Sequence, residues 1–105
     1  MKLLYKMEGY VSSDNANAVI ERVRRMQNIN IPVIVDTVNE DGCLMPAIKF
    51  SFYKRADEDF VDLFLNGLQS KMTLEGGEFY ITNPYTGKKC RFFVREGNIH
   101  VKPCY

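Results

Sequence analysis

Six stretches of this chain alternate apolar and polar residues with a period of two, and two stretches between them repeat near 3.6 residues. That interleaving constrains the fold more than any single motif. A period of two sends successive side chains to opposite faces of a sheet, whereas a period of 3.6 gathers them into one helical stripe.

In residues 2–11, Leu3, Tyr5, Met7 and Val11 share one parity, and Leu4, Lys6, Glu8 and Tyr10 share the other, which predicts a strand. "SSDNAN" follows, with Ser13 or Asp14 expected to cap a helix running to about Gln27. Ala16, Val19, Ile20, Val23 and Met26 form its apolar stripe, and Glu21 and Arg25 make a favourable i,i+4 pair. Residues 31–38 are β-branched and apolar and predict a second strand.

Asp41-Gly42 lies between two apolar runs, where both turn positions can need positive φ, so a hairpin is expected. The third strand is expected over 43–53, with Pro46 marking an edge, a bulge or a late start because it cannot donate to a ladder. Ile48, Phe50 and Phe52 point one way; Lys49, Ser51 and Tyr53 point the other. A second helix is expected over 57–72. Asp57, Glu58, Asp59 and Asp62 suit its positive end, and Phe60, Val61, Phe64, Leu65, Leu68 and Met72 form its stripe. "EGG" at 75–77 stops the chain before a fourth strand at 78–82.

"TNPYTGKKCRFF", residues 82–93, contains Thr-Gly-Lys, which closes many phosphate-binding loops. Such a loop needs a glycine five positions before Gly87, a Ser or Thr after Lys88, and a helix to follow. Position 82 is Thr, position 89 is Lys, and a strand pattern follows. The segment is instead a hairpin loop of five or six residues joining "EFYIT" to "CRFFVR". Gly97-Asn98 would turn a last, tighter hairpin, with Glu96 opposite Ile99, Val94 opposite Val101 and Phe92 opposite Pro103.

The element order is β-α-β-β-α-β-β-β. Its first six elements resemble the order of a ferredoxin-like split βαβ unit, here with a C-terminal β-hairpin extension. The resemblance implies a two-layer α+β sandwich with a mainly antiparallel sheet, formed by residues 1–105 as one domain. It is a likeness of topology, which does not set function.

A formal net charge of +1 offers no global electrostatic argument for nucleic acid or for an anionic membrane surface. "MKLLYKMEGYV" has too short an apolar run for a signal peptide or a spanning helix, so the expectation is cytoplasmic, with no membrane. Cys43, Cys90 and Cys104 are odd in number and share no short spacing, which reads as buried free thiols.

No metal or cofactor is expected. His100 and Cys104 are four apart, about 13 Å along a strand, too far to share a zinc ion with bonds of about 2.1–2.3 Å. The same parity turns His100 away from Cys90, so no nucleophile–base dyad forms. The acids of "ADEDF" and "NEDG" read as helix-start and turn chemistry. An enzyme of unknown class, built on a carboxylate or tyrosine, is the second alternative.

If Leu3, Val33, Val35, Phe50, Phe52, Ile81, Phe92, Val94 and Val101 pack on the helices, the opposite parity faces outward. It carries Tyr10, Tyr53, Tyr80, Arg91, Phe93, Arg95 and His100, the candidate binding residues, with Ile34, Val38, Lys49 and Lys102 among them. Rings and guanidinium groups are enriched in protein interfaces, so a partner protein or a second copy of the chain is the expected ligand. An accessory or inhibitory subunit is the corresponding role. Single-stranded nucleic acid is the first alternative, since rings stack bases and cations hold phosphates. Against it, "CRFFVREG" lacks the glycine of an RNA-binding strand motif, and Glu8 and Asp36 share the face.

Overall fold

The computed structural model describes residues 2–70, 72–83 and 85–102. The elements are β1 (Lys2–Ser12), α1 (Ala16–Asn28), β2 (Val33–Glu40), β3 (Cys43–Asp57), α2 (Phe60–Gln69), β4 (Gly76–Thr82), β5 (Lys89–Arg95) and β6 (Asn98–Val101). The strands form one sheet in the order β2-β3-β1-β4-β5-β6, antiparallel at every pairing. The chain is therefore a small α+β domain with a six-stranded antiparallel sheet and two helices. No described helix is long and apolar enough to cross a membrane.

Local chemistry explains the element boundaries. Asn15, rather than Ser13 or Asp14, caps α1: its Oδ1 accepts the Ala18 N–H at 3.1 Å, while Ser13 Oγ accepts the Asn15 N–H at 3.2 Å. The expected start of the second helix at Asp57 is corrected to Phe60, because β1 still offers Lys2 and Leu3 as partners to Asp57 and Ala56 and holds that chain extended. The helix stops at Gln69, not Met72, since Ser70 is already extended and Arg22 binds its carbonyl and hydroxyl.

Pro46 sits inside β3, opposite Thr37 of β2. Its carbonyl accepts the Ser13 N–H at 3.1 Å just past the end of the β1–β3 ladder, so its missing donor forfeits only a terminal bond. The β2–β3 turn has φ 50° at Asp41 and 84° at Gly42, as the Asp-Gly signal implies. In the last hairpin, positive φ falls on Glu96 and Gly97, and Arg95 pairs with Asn98. The expected Gly97-Asn98 turn is thus displaced by one residue: Phe92 pairs with Val101 and Val94 with Ile99. Parity survives the slip, so the two faces keep their residues.

The inner face is aromatic. The Phe50 ring lies 5.5 Å from Phe64 of α2 and 5.3 Å from Phe79, both edge-on, and Phe79 stacks on Phe92 at 5.0 Å. Val19, Val23 and Met26 of α1 join Phe60, Phe64 and Leu68 of α2 in this core. Such ring pairs add about 0.5–1.5 kcal/mol each beyond burial. Two expected inner residues are not covered: Val35 is 47% exposed and Val101 57%, because both lie on strands at the margins of the sheet, past the helices. The cysteines also depart from expectation. Cys43 is free but exposed, and Cys90 is disulfide-bonded; Cys104 and Pro103 lie outside the described residues.

Two glycines let β1 and β4 approach. Gly9 has φ 135° and Gly77 φ 140°. A Cβ on Gly9 would stand 2.3 Å from the Glu78 carbonyl oxygen, and one on Gly77 2.5 Å from that of Tyr10, both immovable backbone. Gly9→Ala is therefore expected to cost about 2 kcal/mol or more in urea denaturation. A loss below about 0.5 kcal/mol would show that the strands can part without penalty.

Candidate functional site

The registers place the outward residues in rows across the sheet. One row reads Ile34, Lys49, Tyr10, Glu78, Phe93, His100 from β2 to β6. The next reads Ser51, Glu8, Tyr80, Arg91, and a third reads Tyr53, Lys6, Thr82, Lys89. Six of the seven candidate residues lie in these rows. Arg95 sits farther along β5, opposite Asn98, and is exposed.

Tyr80, Arg91, Phe93 and His100 form one connected cluster. Arg91 donates from Nε and Nη2 to the two carboxylate oxygens of Glu78 at 2.9 and 3.0 Å, and the Tyr80 hydroxyl donates to the same carboxylate. Lys89 Nζ stands 4.5 Å from the centre of the Tyr80 ring, and the Arg91 guanidinium 5.6 Å from that of Phe93. Phe93 and His100 stack at 5.5 Å with 24° between planes, and His100 Nε2 lies 3.2 Å from the Arg95 carbonyl oxygen.

Tyr10 is beside Glu78 in its row but bonds elsewhere, and Tyr53 stands apart from this cluster. The Tyr10 hydroxyl donates to Glu40 Oε1 at 2.8 Å. The same carboxylate lies over Gly76, where a Cβ would come within 2.5 Å of it. Glu40 thus folds the tip of the β2–β3 hairpin back over the outer face. Beneath it, the paired residues Ser12 and Ala47 are fully buried despite their outward parity. Tyr53, by contrast, is 61% exposed, with Lys6 Nζ 5.8 Å from its ring centre.

Charge on this face is largely neutralised in place. Besides Arg91–Glu78, Lys6 pairs with Glu8 at 3.0 Å and Lys49 with Asp36 at 2.9 Å. The hydrogen bond from Arg91, then that from Tyr80, holds the Glu78 carboxyl below the usual glutamate range. Lys49 does the same for Asp36, and Glu8 raises Lys6. Burial, then the Glu40 carboxylate, pushes the Tyr10 hydroxyl up to about 12. Glu78 and Glu40 are the residues that sequence reasoning missed. Glu78 was findable, being two residues before Tyr80 and of the same parity; Glu40 was not, because only the curl of the hairpin brings it there.

The open part of the face lies at β2, which pairs with β3 alone. Ile34 is 60% exposed on it. A cleft of about 840 Å³ runs beside this strand, lined by Pro32, Ile34, Lys49 and Ser51 and reaching Gly9 and Phe50. No group of three or more His, Cys, Asp or Glu among the described residues could hold a metal ion.

Comparison of the chain with protein-family models, with curated proteins and with solved structures finds no match.

Because the Glu78 carboxyl is depressed in the fold, its contribution is present above the ordinary glutamate range and lost as pH falls through the lowered value. Glu78→Gln is expected to lower the urea midpoint near neutral pH. The gap from the wild type should narrow as the pH is taken below the ordinary glutamate range and through the lowered value. A gap independent of pH would mean that the carboxylate's charge contributes nothing there.

Proposed function

We propose that this chain is a small non-enzymatic binding module that engages a protein along the β2 edge and the adjoining outer face at Ile34, Lys49 and Tyr53. The observation that carries this reading is the eight-residue edge strand β2, bonded on one side only, with Ile34 and Val35 exposed on its two faces. An exposed edge with an apolar start is a template for another strand; here Pro32 precedes that start and Asp36 follows it, so the apolar part is limited to Val33, Ile34 and Val35. An extended segment of the partner would add to the sheet through its backbone, with side chains entering the cleft beside Lys49 and Ser51.

The order β2-β3-β1-β4 is read as a ferredoxin-like core, to which β5 and β6 add. In that reading the extension covers the β4 side and leaves β2 as the working edge. The cluster of Tyr80, Arg91, Phe93 and His100 then forms a flanking contact surface of rings and paired charges. Binding as an accessory or inhibitory subunit, or to a second copy of the chain, fits the same edge. Single-stranded nucleic acid loses support because Arg91, Lys49 and Lys6 each already hold a carboxylate. A cytoplasmic location loses the support it drew from three free thiols, since Cys90 is disulfide-bonded.

The test is affinity capture with the tagged full chain, with and without nuclease, alongside light scattering for self-association. Ile34→Lys, which sets a charge on the edge, and Tyr53→Ala are each expected to abolish partner capture or dimer formation. Their thermal midpoints should stay within about 3 °C of the wild type. Variants that bind as well as the wild type, or capture that vanishes with nuclease, would overturn the reading.

A further inference from the structure

We propose that the pocket between α1 and α2 binds a small amphiphilic carboxylate, its head held by Arg22 and Arg25 and its apolar body lying against Met26, Phe60 and Phe64. The pocket shares Ile31 with the β2 cleft but is otherwise lined by different residues, and it does not rest on the binding reading above. Its volume is about 250 Å³, and Ile29 and Leu63, each 63% exposed, also line it.

Arg22 is the unusual residue. It is only 8% exposed. One terminal nitrogen, Nη2, donates to the Ser70 carbonyl and, at 3.0 Å, to the Ser70 hydroxyl. Its Nε–H is buried and has no acceptor. A buried guanidinium normally meets a carboxylate, because removing it from water without a counter-charge is strongly unfavourable. Here the neighbouring charges have the same sign: Arg25 and Lys54 line the pocket, and no Asp or Glu does. Among the described residues, none of the three cations is in an ion pair. Burial, then repulsion from Arg25, moves Arg22 below its ordinary range, as expected where positive charge is uncompensated.

The chemistry of the walls selects the ligand. Guanidinium forks match the two oxygens of a carboxylate, and an ionised head supplies the counter-charge that Arg22 and Arg25 lack. Phosphate shares that fork geometry, but a strongly hydrated dianion would lose more water on entering apolar walls. The small volume, below the usual range for drug-sized ligands, limits the body to a short alkyl chain or a single ring.

Titration calorimetry on the full chain with octanoate, 1-octanol and inorganic phosphate tests this. Octanoate is expected to bind at least about tenfold more tightly than either of the others, since each carries only half of the recognised chemistry. Arg25→Gln, an exposed position away from the Ser70 contacts, should weaken octanoate about three- to tenfold with an unchanged thermal midpoint. Arg22→Lys, which keeps charge but loses the fork, should weaken it further, and its thermal midpoint reports whether α2 still docks. Octanol or phosphate binding as tightly as octanoate, no octanoate binding at millimolar concentration, or an Arg25→Gln variant that binds like the wild type would each overturn the proposal.

Discussion

The pairing of β1 with β3 on one side and β4 on the other is the constraint on which the rest of the structure depends. Strands that far apart in sequence meet only if their backbones can come close, and Gly9 and Gly77 permit that approach. Once they meet, Phe50 and Phe79 stand 5.3 Å apart on one face and Phe64 of α2 closes over both. The same pairing brings Lys49, Tyr10 and Glu78 side by side on the other face. Core and surface are thus two consequences of one register.

Much of this was legible in the amino-acid pattern because parity is a local property. Phe50 and Phe52 alternate with Lys49, Ser51 and Tyr53, and the structure buries the first set while turning the second outward. The Asp41-Gly42 turn was equally local, since it needs only two residues that tolerate positive φ. Legibility failed where a distant element decided the outcome. β3 runs on to Asp57 because β1 supplies partners there, and α2 ends early because Arg22, on another helix, takes Ser70. Arg22 itself sits three residues after Val19 and four before Met26, on the buried stripe of α1, but a charged side chain there does not read as buried from the sequence. Cys90 has no spacing signal either, and its disulfide came as a correction.

The candidate site shows the same division. Parity found Tyr80, Arg91, Phe93 and His100 as one cluster, but could not say that Glu78 would occupy the guanidinium. Much of the charge on a face that looks like rings and cations in the sequence is paired in the fold, while Arg95 stays exposed and in no ion pair among the described residues. Two further features are open to a ligand: the solvent-facing edge of β2, and the uncompensated Arg22 beside Arg25. The first is a template for another strand, and the second is a buried charge that is costly to leave without a counter-ion.

If the β2 edge is open in the isolated chain, amide hydrogen exchange will read it strand side by strand side. In dilute solution, amides of residues 33–40 that face β3 should be protected, while the alternating amides that face away should exchange near the rate of an unstructured chain. Uniform protection along both sides of β2, in a monomer free of any partner, would contradict it.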